Sequence, residues 1–353
     1  MMLSVSAFAQ MPTSNPYNAN TLFEQMGQAL PTPNTYRTAS GAPGKEYWQQ
    51  KADYDIKVEL DDDKQHISAS EKITYLNQSP DVLTYLWLQL DQNHFSDKSD
   101  AKLTRQTSIS HERGASSGTL KGLNDVTDKD YGFKILKVTD KAGKALKYTI
   151  NGTMMRIDLP MALPKGQNFV FNVDWSFNIV DANATRARSG YEYFEKDGNY
   201  LYEMAQWFPR MCAYDDVNGW QHKQFLGQGE FTLVFGDYKV AVTVPNDMVV
   251  GATGELQNAK EVLSAAQQAR MLQAETSTTP VVIVNQQEAE LAEKGKPTGK
   301  KTWVFAAKNV RDFAFAASRK FIWDAMKVEV EGKKVWAMSL YPKEGNPLWG
   351  QYS

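Results

Sequence analysis

The sequence predicts a mainly β protein, built as a multi-sheet β-sandwich with a few short helices near its C-terminal third. Three observations carry this. Apolar and polar residues alternate with a period of two over many short stretches, the pattern of half-buried strands. Aromatic residues make up 12% of the chain, with 9 Trp, 16 Tyr and 16 Phe, residue types that suit a pleated, half-buried surface. The chain has 353 residues and a hydrophobic fraction of 42%, enough for a substantial core and roughly two domains.

Charge and composition narrow the function classes. Lys and Arg total 39 against 41 Asp and Glu, with no long run of one sign, which leaves no basic footprint for nucleic acid or an anionic membrane. No stretch approaches the roughly 20 apolar residues of a membrane-crossing helix. Cys212 is the single cysteine, so an internal disulfide is excluded.

Taken in order, residues 1–10 are apolar, and Ala7-Phe8-Ala9 fits a small-x-small cleavage site, the expected remnant of a signal peptide and of export; a short free terminus is the other reading. Residues 11–44, rich in Pro, Asn, Thr and Ser, read as an extended arm or linker. From Tyr47 the β pattern begins. Tyr54, Ile56, Val58 and Leu60 alternate with charged residues, Asp61-Asp62-Asp63-Lys64 makes a turn, and Ile67, Ala69 and Ile73 follow on a second strand. Leu83–Leu90 is nearly continuous in apolar residues and reads as a strand buried on both faces. Residues 96–130 read as a surface excursion; His111-Glu112-Arg113 lies there and is not HExxH, because position 115 is Ala.

Further hairpins turn at Lys141–Lys144 and at Asn151-Gly152. Phe169, Phe171, Val173, Trp175, Phe177 and Ile179 form the cleanest alternation in the chain. Residues 229–244 read as two strands around Gly236-Asp237, and 248–254 as a short apolar strand. The period then changes. Lys260–Glu275 carries Leu263, Ala266, Ala269 and Leu272 at helical spacing, and Asn285 with Glu288 forms a capping box for a second helix through Glu293. Residues 302–306 return to strand, 310–321 read as a helical turn, 326–340 as a hairpin around Glu331-Gly332, and 341–353 as the first turn of a helix.

The densest run of chemistry-bearing residues is Tyr200–Gly219, with aromatics, a Pro–Arg step, Cys212 and the pair Asp215-Asp216. The amide of Gln206 can hydrogen-bond a substrate through either end, and Trp207 and Phe208 can wall an apolar pocket. Each also has a plain structural reading: Gln206 as a satisfied interior amide, Trp207 and Phe208 as core, Arg210 in an ion pair with Asp215 or Asp216, Cys212 as a small buried hydrophobe, and His222 as a packed or exposed ring. Tyr191, Tyr193, Tyr200 and Tyr202 read as cross-strand packing.

Five blocks, in order, resemble the N-terminal region of the zinc aminopeptidases of the aminopeptidase N family. They are DYDIKVELDDDKQHISASEKITYLN at 53–77, LTYLWLQLDQN at 83–93, AQWFPRMCAYDD at 205–216, VAVTVPNDMVVGATG at 240–254 and NVRDFAFAASRKF at 309–321. The resemblance covers about residues 45–330. It implies a saddle-like β domain at 45–335, with a helical insertion about 260–295, packed against a thermolysin-like catalytic domain whose truncated start is 336–353. It also implies that Gln206 and Trp207 contribute to the pocket for the first substrate residue, and that the full-length parent holds one zinc ion and grips the N-terminus of a peptide substrate. The chain departs from the family where catalysis would sit. Its four histidines, 66, 94, 111 and 222, include no HExxH, and no GxMEN is present. Zinc catalysis needs three protein ligands and an open position. This chain is therefore expected to carry no catalytic or metal-ligating residue and to have no cofactor of its own. Two readings stand: the non-catalytic front part of a zinc-dependent aminopeptidase, or a stand-alone β-sandwich binding module.

Overall fold

The computed structural model describes residues 33–104, 130–185, 187–227, 229 and 232–352. The signal remnant at 1–10, most of the arm, and His111-Glu112-Arg113 lie outside the described residues.

The architecture is mainly β, with several sheets around one continuous core. The largest sheet has seven strands, in the order β15 (Glu255–Leu256), β17 (Lys300–Val310), β13 (Gly236–Pro245), β1 (Lys51–Asp61), β2 (His66–Leu76), β7 (Asn168–Asn178) and β4 (Lys134–Asp140). Beside it stand a four-stranded sheet, β10 (Arg210–Met211), β3 (Leu83–Gln89), β6 (Met154–Leu163) and β5 (Tyr148–Asn151), and a second, β14 (Val249–Ala252), β18 (Phe315–Ser318), β9 (Asn199–Met204) and β8 (Gly190–Phe194). A three-stranded sheet, β16 (Val281–Val284), β19 (Ile322–Val330) and β20 (Lys333–Tyr341), and the ribbon β11 (Tyr214–Asp215) with β12 (Gly219–Trp220) complete the set. The helices are short: α1 Asp100–Leu103, α2 Ala182–Thr185, α3 Ala259–Val262, α4 Ala265–Ala274, α5 Gln286–Glu293 and α6 Leu348–Tyr352.

The alternation read from the sequence sets which faces are buried. Tyr54, Ile56, Val58 and Leu60 of β1, Phe171, Val173, Trp175 and Phe177 of β7, and Val240 and Val242 of β13 all point into the core. β1 and β2 pair in register from Lys51–Leu76 to Asp61–His66. Their turn is held by the Asp61 carboxylate, which accepts from the Asp63 and Lys64 amides, and closes with Gln65 at φ 49°. The Glu331-Gly332 hairpin forms with both residues left-handed, φ 50° and 77°, the geometry of a two-residue hairpin turn.

Several expectations are corrected. β3 is not buried on both faces: Leu86 and Leu88 enter the core, but Tyr85 and Trp87 lie on a half-covered face. There the Arg156 guanidinium sits 4.1 Å over the Tyr85 ring and His222 stacks on Trp87 at 5.0 Å. Among the described residues of 229–244, one strand forms, β13 from Gly236, rather than two around Gly236. Gly236 is where β13 joins the parallel partner β1, and a Cβ there would fall 1.6 Å from the Ala52 carbonyl oxygen. The helix expected over 260–275 is broken into α3 and α4, because Ser264 stands between them as an N-cap in a capping box with Gln267. The second capping box, Asn285 with Glu288, is formed as the spacing suggests.

Residues 310–321 are not helical. Phe315–Ser318 forms β18, which pairs on both sides, with β9 and β14, so tertiary pairing overrides local helix propensity. Pairing also runs across the expected boundary at 335. β20 runs to Tyr341 in register with β19, and Glu344 pairs with the buried Lys320 at 3.1 Å. The arm is not free over its last residues: Arg37 bridges to Pro43 and forms a two-oxygen pair with Asp216.

Replacing Ser264 by Ala removes the α4 cap while touching no core residue. We expect a loss of about 1 kcal/mol in urea unfolding with an unchanged far-ultraviolet spectrum; a loss below about 0.3 kcal/mol would show that the cap contributes nothing.

Candidate functional site

The 200–219 stretch crosses the middle of the molecule. β9 carries it in, paired to β18. The chain then leaves the sheet at Ala205, whose amide donates to Ser189 Oγ at 3.1 Å, while Ser189 Oγ donates to the Glu203 carbonyl at 3.0 Å. Gln206 follows at φ 57°, a left-handed conformation that costs a non-glycine residue of order 1 kcal/mol or more and persists only where its surroundings impose it. They do so here. Trp207, immediately after, is fully buried, its Nε1 donates to the Phe313 carbonyl at 3.0 Å, and its own carbonyl accepts from Trp175 Nε1 at 3.3 Å. The Trp207 ring meets Phe315 edge-on at 5.1 Å, and Phe208 meets Tyr54 edge-on at 5.6 Å.

The two candidate residues therefore separate. Gln206 is half-buried, and its side-chain amide makes no hydrogen bond among the described residues. Trp207 has no exposed surface, so the pocket wall expected of it is corrected to a core anchor: both its ring and its N–H are used inside the protein. Phe208 is buried in the same way. Glu203, exposed and three residues before Gln206, has its carboxyl held above the usual range by partial burial and by the like charge of Glu192.

Arg210 is buried and does not pair with Asp215 or Asp216. It lies on β10 opposite Gln89 of β3, which directs its guanidinium to Asp91 at 2.7 Å and Asp312 at 2.5 Å. Asp216 turns the other way, to Arg37, while Asp215 accepts from the Val217 and Asn218 amides and from Gln221 Nε2, shaping the β11–β12 turn. Burial lifts Asp312 above the ordinary carboxylate range against the pull of Arg210. Several polar atoms are left without a partner in the core. Both amide atoms of Gln89, Oδ1 of Asp91, Nε of Arg210 and both oxygens of Glu71 are buried without a partner among the described residues. Burial pushes the Glu71 carboxyl well above its ordinary value, so it is neutral where an ordinary Glu is ionised. Burial likewise raises the Cys212 thiol, which makes it inert.

Asp91, Asp312, Glu71 and Gln89 did not stand out as site residues in the sequence. A signal existed for two of them: Gln89 and Asp91 interrupt an otherwise apolar run, and buried polar residues in such a run need partners. The four tyrosines do pack across β8 and β9, with Tyr193 and Tyr200 at 4.9 Å and Tyr191 and Tyr200 at 5.4 Å. Among the described residues no group of three His, Cys, Asp or Glu side chains could hold a metal ion, and His222 spends Nδ1 at the Trp220 carbonyl. The described residues do not fit a zinc centre, so no chemical step is routed through one in this chain. No described helix is long and apolar enough to cross a membrane.

No family model and no curated protein matches the chain. Among solved structures, it is similar to an M1 zinc metallopeptidase mutant from Deinococcus radiodurans bound to a Tyr-Ser-Ala substrate, with a TM-score of 0.44 and 12% identity over 84% of this chain and 48% of that one. A two-domain M1 zinc metallopeptidase mutant bound to L-tryptophan gives a TM-score of 0.43 and 11% identity over 86% and 50%. The M1 zinc metallopeptidase from Deinococcus radiodurans gives 0.42 and 12% over 85% and 49%. The chain thus spans about half the length of these structures, and at such values the likeness assigns it neither family nor activity.

Proposed function

We propose that this chain is the non-catalytic N-terminal part of an exported zinc-dependent aminopeptidase, and that it shapes the substrate side of an active site completed by a separate catalytic domain. The observation that carries the reading is Gln206. The block in which it sits resembles the family's substrate-facing segment, and the structure holds this residue in a left-handed conformation, half-exposed, with an unengaged amide on a rigid aromatic base. A strained residue held in place by over-determined surroundings is a recurring device of binding sites. In this reading Gln206 accepts or donates at the backbone of the first substrate residue, Glu203 lends negative charge for a peptide amino terminus, and Trp207 positions Gln206 without touching substrate. The zinc and its chemistry belong to the catalytic domain; this chain binds and orients.

Expressing the complete gene product and this chain side by side, with metal analysis and an aminoacyl-p-nitroanilide assay, tests the reading. The complete product is expected to bind one zinc and release amino-terminal residues, and the chain alone to do neither. A complete product without metal or activity would overturn the proposal in favour of a stand-alone binding module. A second test uses the strain. Gln206→Gly relieves the left-handed backbone and is expected to raise stability by up to about 1 kcal/mol while raising KM of the complete enzyme. A variant that gains stability and keeps its KM would show that Gln206 makes no substrate contact.

A further inference from the structure

Away from Gln206, the three helices α3, α4 and α5 close over one end of the seven-stranded sheet and leave a cleft of about 180 Å³. Its lining is mixed: Val249, Val262, Leu263, Val284 and Trp303 of β17 supply the apolar side, and Asn246, Asp247, Gln267, Glu288, Lys301 and Arg319 the polar side. One charged group is set into this surface without an ion-pair partner. Lys301 Nζ sits 4.9 Å over the Trp303 ring and makes a single long contact, 3.4 Å, to the Val262 carbonyl. An ammonium has three donors, so two here are uncommitted among the described residues.

The other charges in the cleft are engaged in ion pairs. Asp247 is bound by Arg319 at 2.8 Å, and Arg319 also holds Asp62; Glu288 is bound by Arg270 at 2.6 Å. On α3, Glu261 accepts from Asn258, and Lys260 is exposed. Arg319 lies between two aspartates and leaves that group one negative charge, so Lys301 is set apart by its uncommitted donors beside Val262, Leu263 and Val284 rather than by the net charge of the cleft. We propose that this cleft is a binding site for a small apolar monocarboxylate, whose carboxylate pairs with Lys301 and whose hydrocarbon body fills the space between the helical segment and the sheet. Size supports a compact ligand: a cavity of about 150 Å³ holds one benzene ring. A peptide is too large, but a branched short-chain acid or benzoate fits the volume.

The electrostatics add a pH signature. Burial brings the Lys301 amine down to about 8, with Asp247 opposing the shift. Below that value the amine is charged and pairs with a carboxylate; above it the pairing weakens.

The test is a titration of the full chain with 3-methylbutanoate, followed by calorimetry and by amide NMR shifts. Saturable binding is expected at near-neutral pH, at least about tenfold weaker in Lys301→Met, where the stem is kept and the charge removed, and falling as pH rises through the Lys301 transition. 3-Methylbutanamide, which has the same shape and no charge, is expected to bind the wild type at least about tenfold more weakly than the acid. This comparison needs no variant. No saturable binding at millimolar acid, equal binding of acid and amide, or undiminished binding by a folded Lys301→Met protein would each overturn the proposal. None of these outcomes bears on Gln206 or on aminopeptidase activity.

Discussion

Replacing Arg210 by Leu is expected to destabilise the protein by about 3–5 kcal/mol, the usual cost of stripping one partner from a buried ion pair. Arg210 is 5% exposed and its partner Asp91 is 2% exposed, so removing the guanidinium leaves a carboxylate in the core with neither water nor a cation. Asp312 is better placed to escape the loss, since 41% of its side chain is exposed. This asymmetry gives the prediction a second half. In the Arg210→Leu background, Asp91→Asn is expected to restore a large part of the loss, because it removes the orphaned charge; Asp312→Asn is expected to restore little. Urea denaturation of the wild type, Arg210→Leu, Asp91→Asn and the Arg210→Leu/Asp91→Asn double variant forms a double-mutant cycle that measures the coupling directly, and the same cycle with Asp312→Asn gives the comparison. Equal rescue by both asparagines, or a loss near 1 kcal/mol, would show that the Arg210–Asp91 pair is not the buried lock described here.

Glu71 gives the second large effect, and it depends on pH. Its side chain faces the core from β2, between Ile56 and Val173 on the flanking strands, with both oxygens unpartnered. Because its native carboxyl lies well above the unfolded value, the native state holds a proton that the unfolded state has lost. Stability from this group is therefore complete below the ordinary carboxyl range and falls as pH rises through the native value, by about 1.4 kcal/mol per pH unit between the two. Glu71→Gln removes the titration and keeps the shape. The difference in unfolding free energy between variant and wild type is expected to grow in favour of the variant as pH rises above the ordinary carboxyl range, because the other titrating groups cancel in the subtraction. A flat difference would mean that Glu71 is ionised and compensated in the native protein. Glu71→Leu is expected to add a further gain of order 1 kcal/mol at low pH, where the unpartnered carboxyl still costs desolvation.

Much of the scaffold was legible in the sequence because it rests on local rules. The alternation of Tyr54 to Leu60 and of Phe171 to Phe177 names the buried faces, and Asn285 with Glu288 names a helix start, since each feature needs only its neighbours in sequence. The failures occur where a distant partner decides. Phe315–Ser318 is a strand because β9 and β14 flank it, and Ser264 splits a helix that periodicity alone joins. Arg210 looked nearest to Asp215 and Asp216 along the chain, yet β10 pairing with β3 brings it to Asp91, 119 positions away. Trp207 is an anchor rather than a wall, and the left-handed backbone of Gln206 has no signature in residue type, since glutamine does not favour that conformation.

The proposed role of Gln206 is to face the first residue of a peptide in a complete zinc aminopeptidase. Steady-state kinetics of the complete gene product against its Gln206→Ala variant, on a set of aminoacyl substrates, test it most directly. KM is expected to rise by about three- to tenfold, as for the loss of one neutral hydrogen bond, with unchanged zinc content and an effect that varies with the first substrate residue. Unchanged kinetics on every substrate, or a complete product with no aminopeptidase activity, would contradict it.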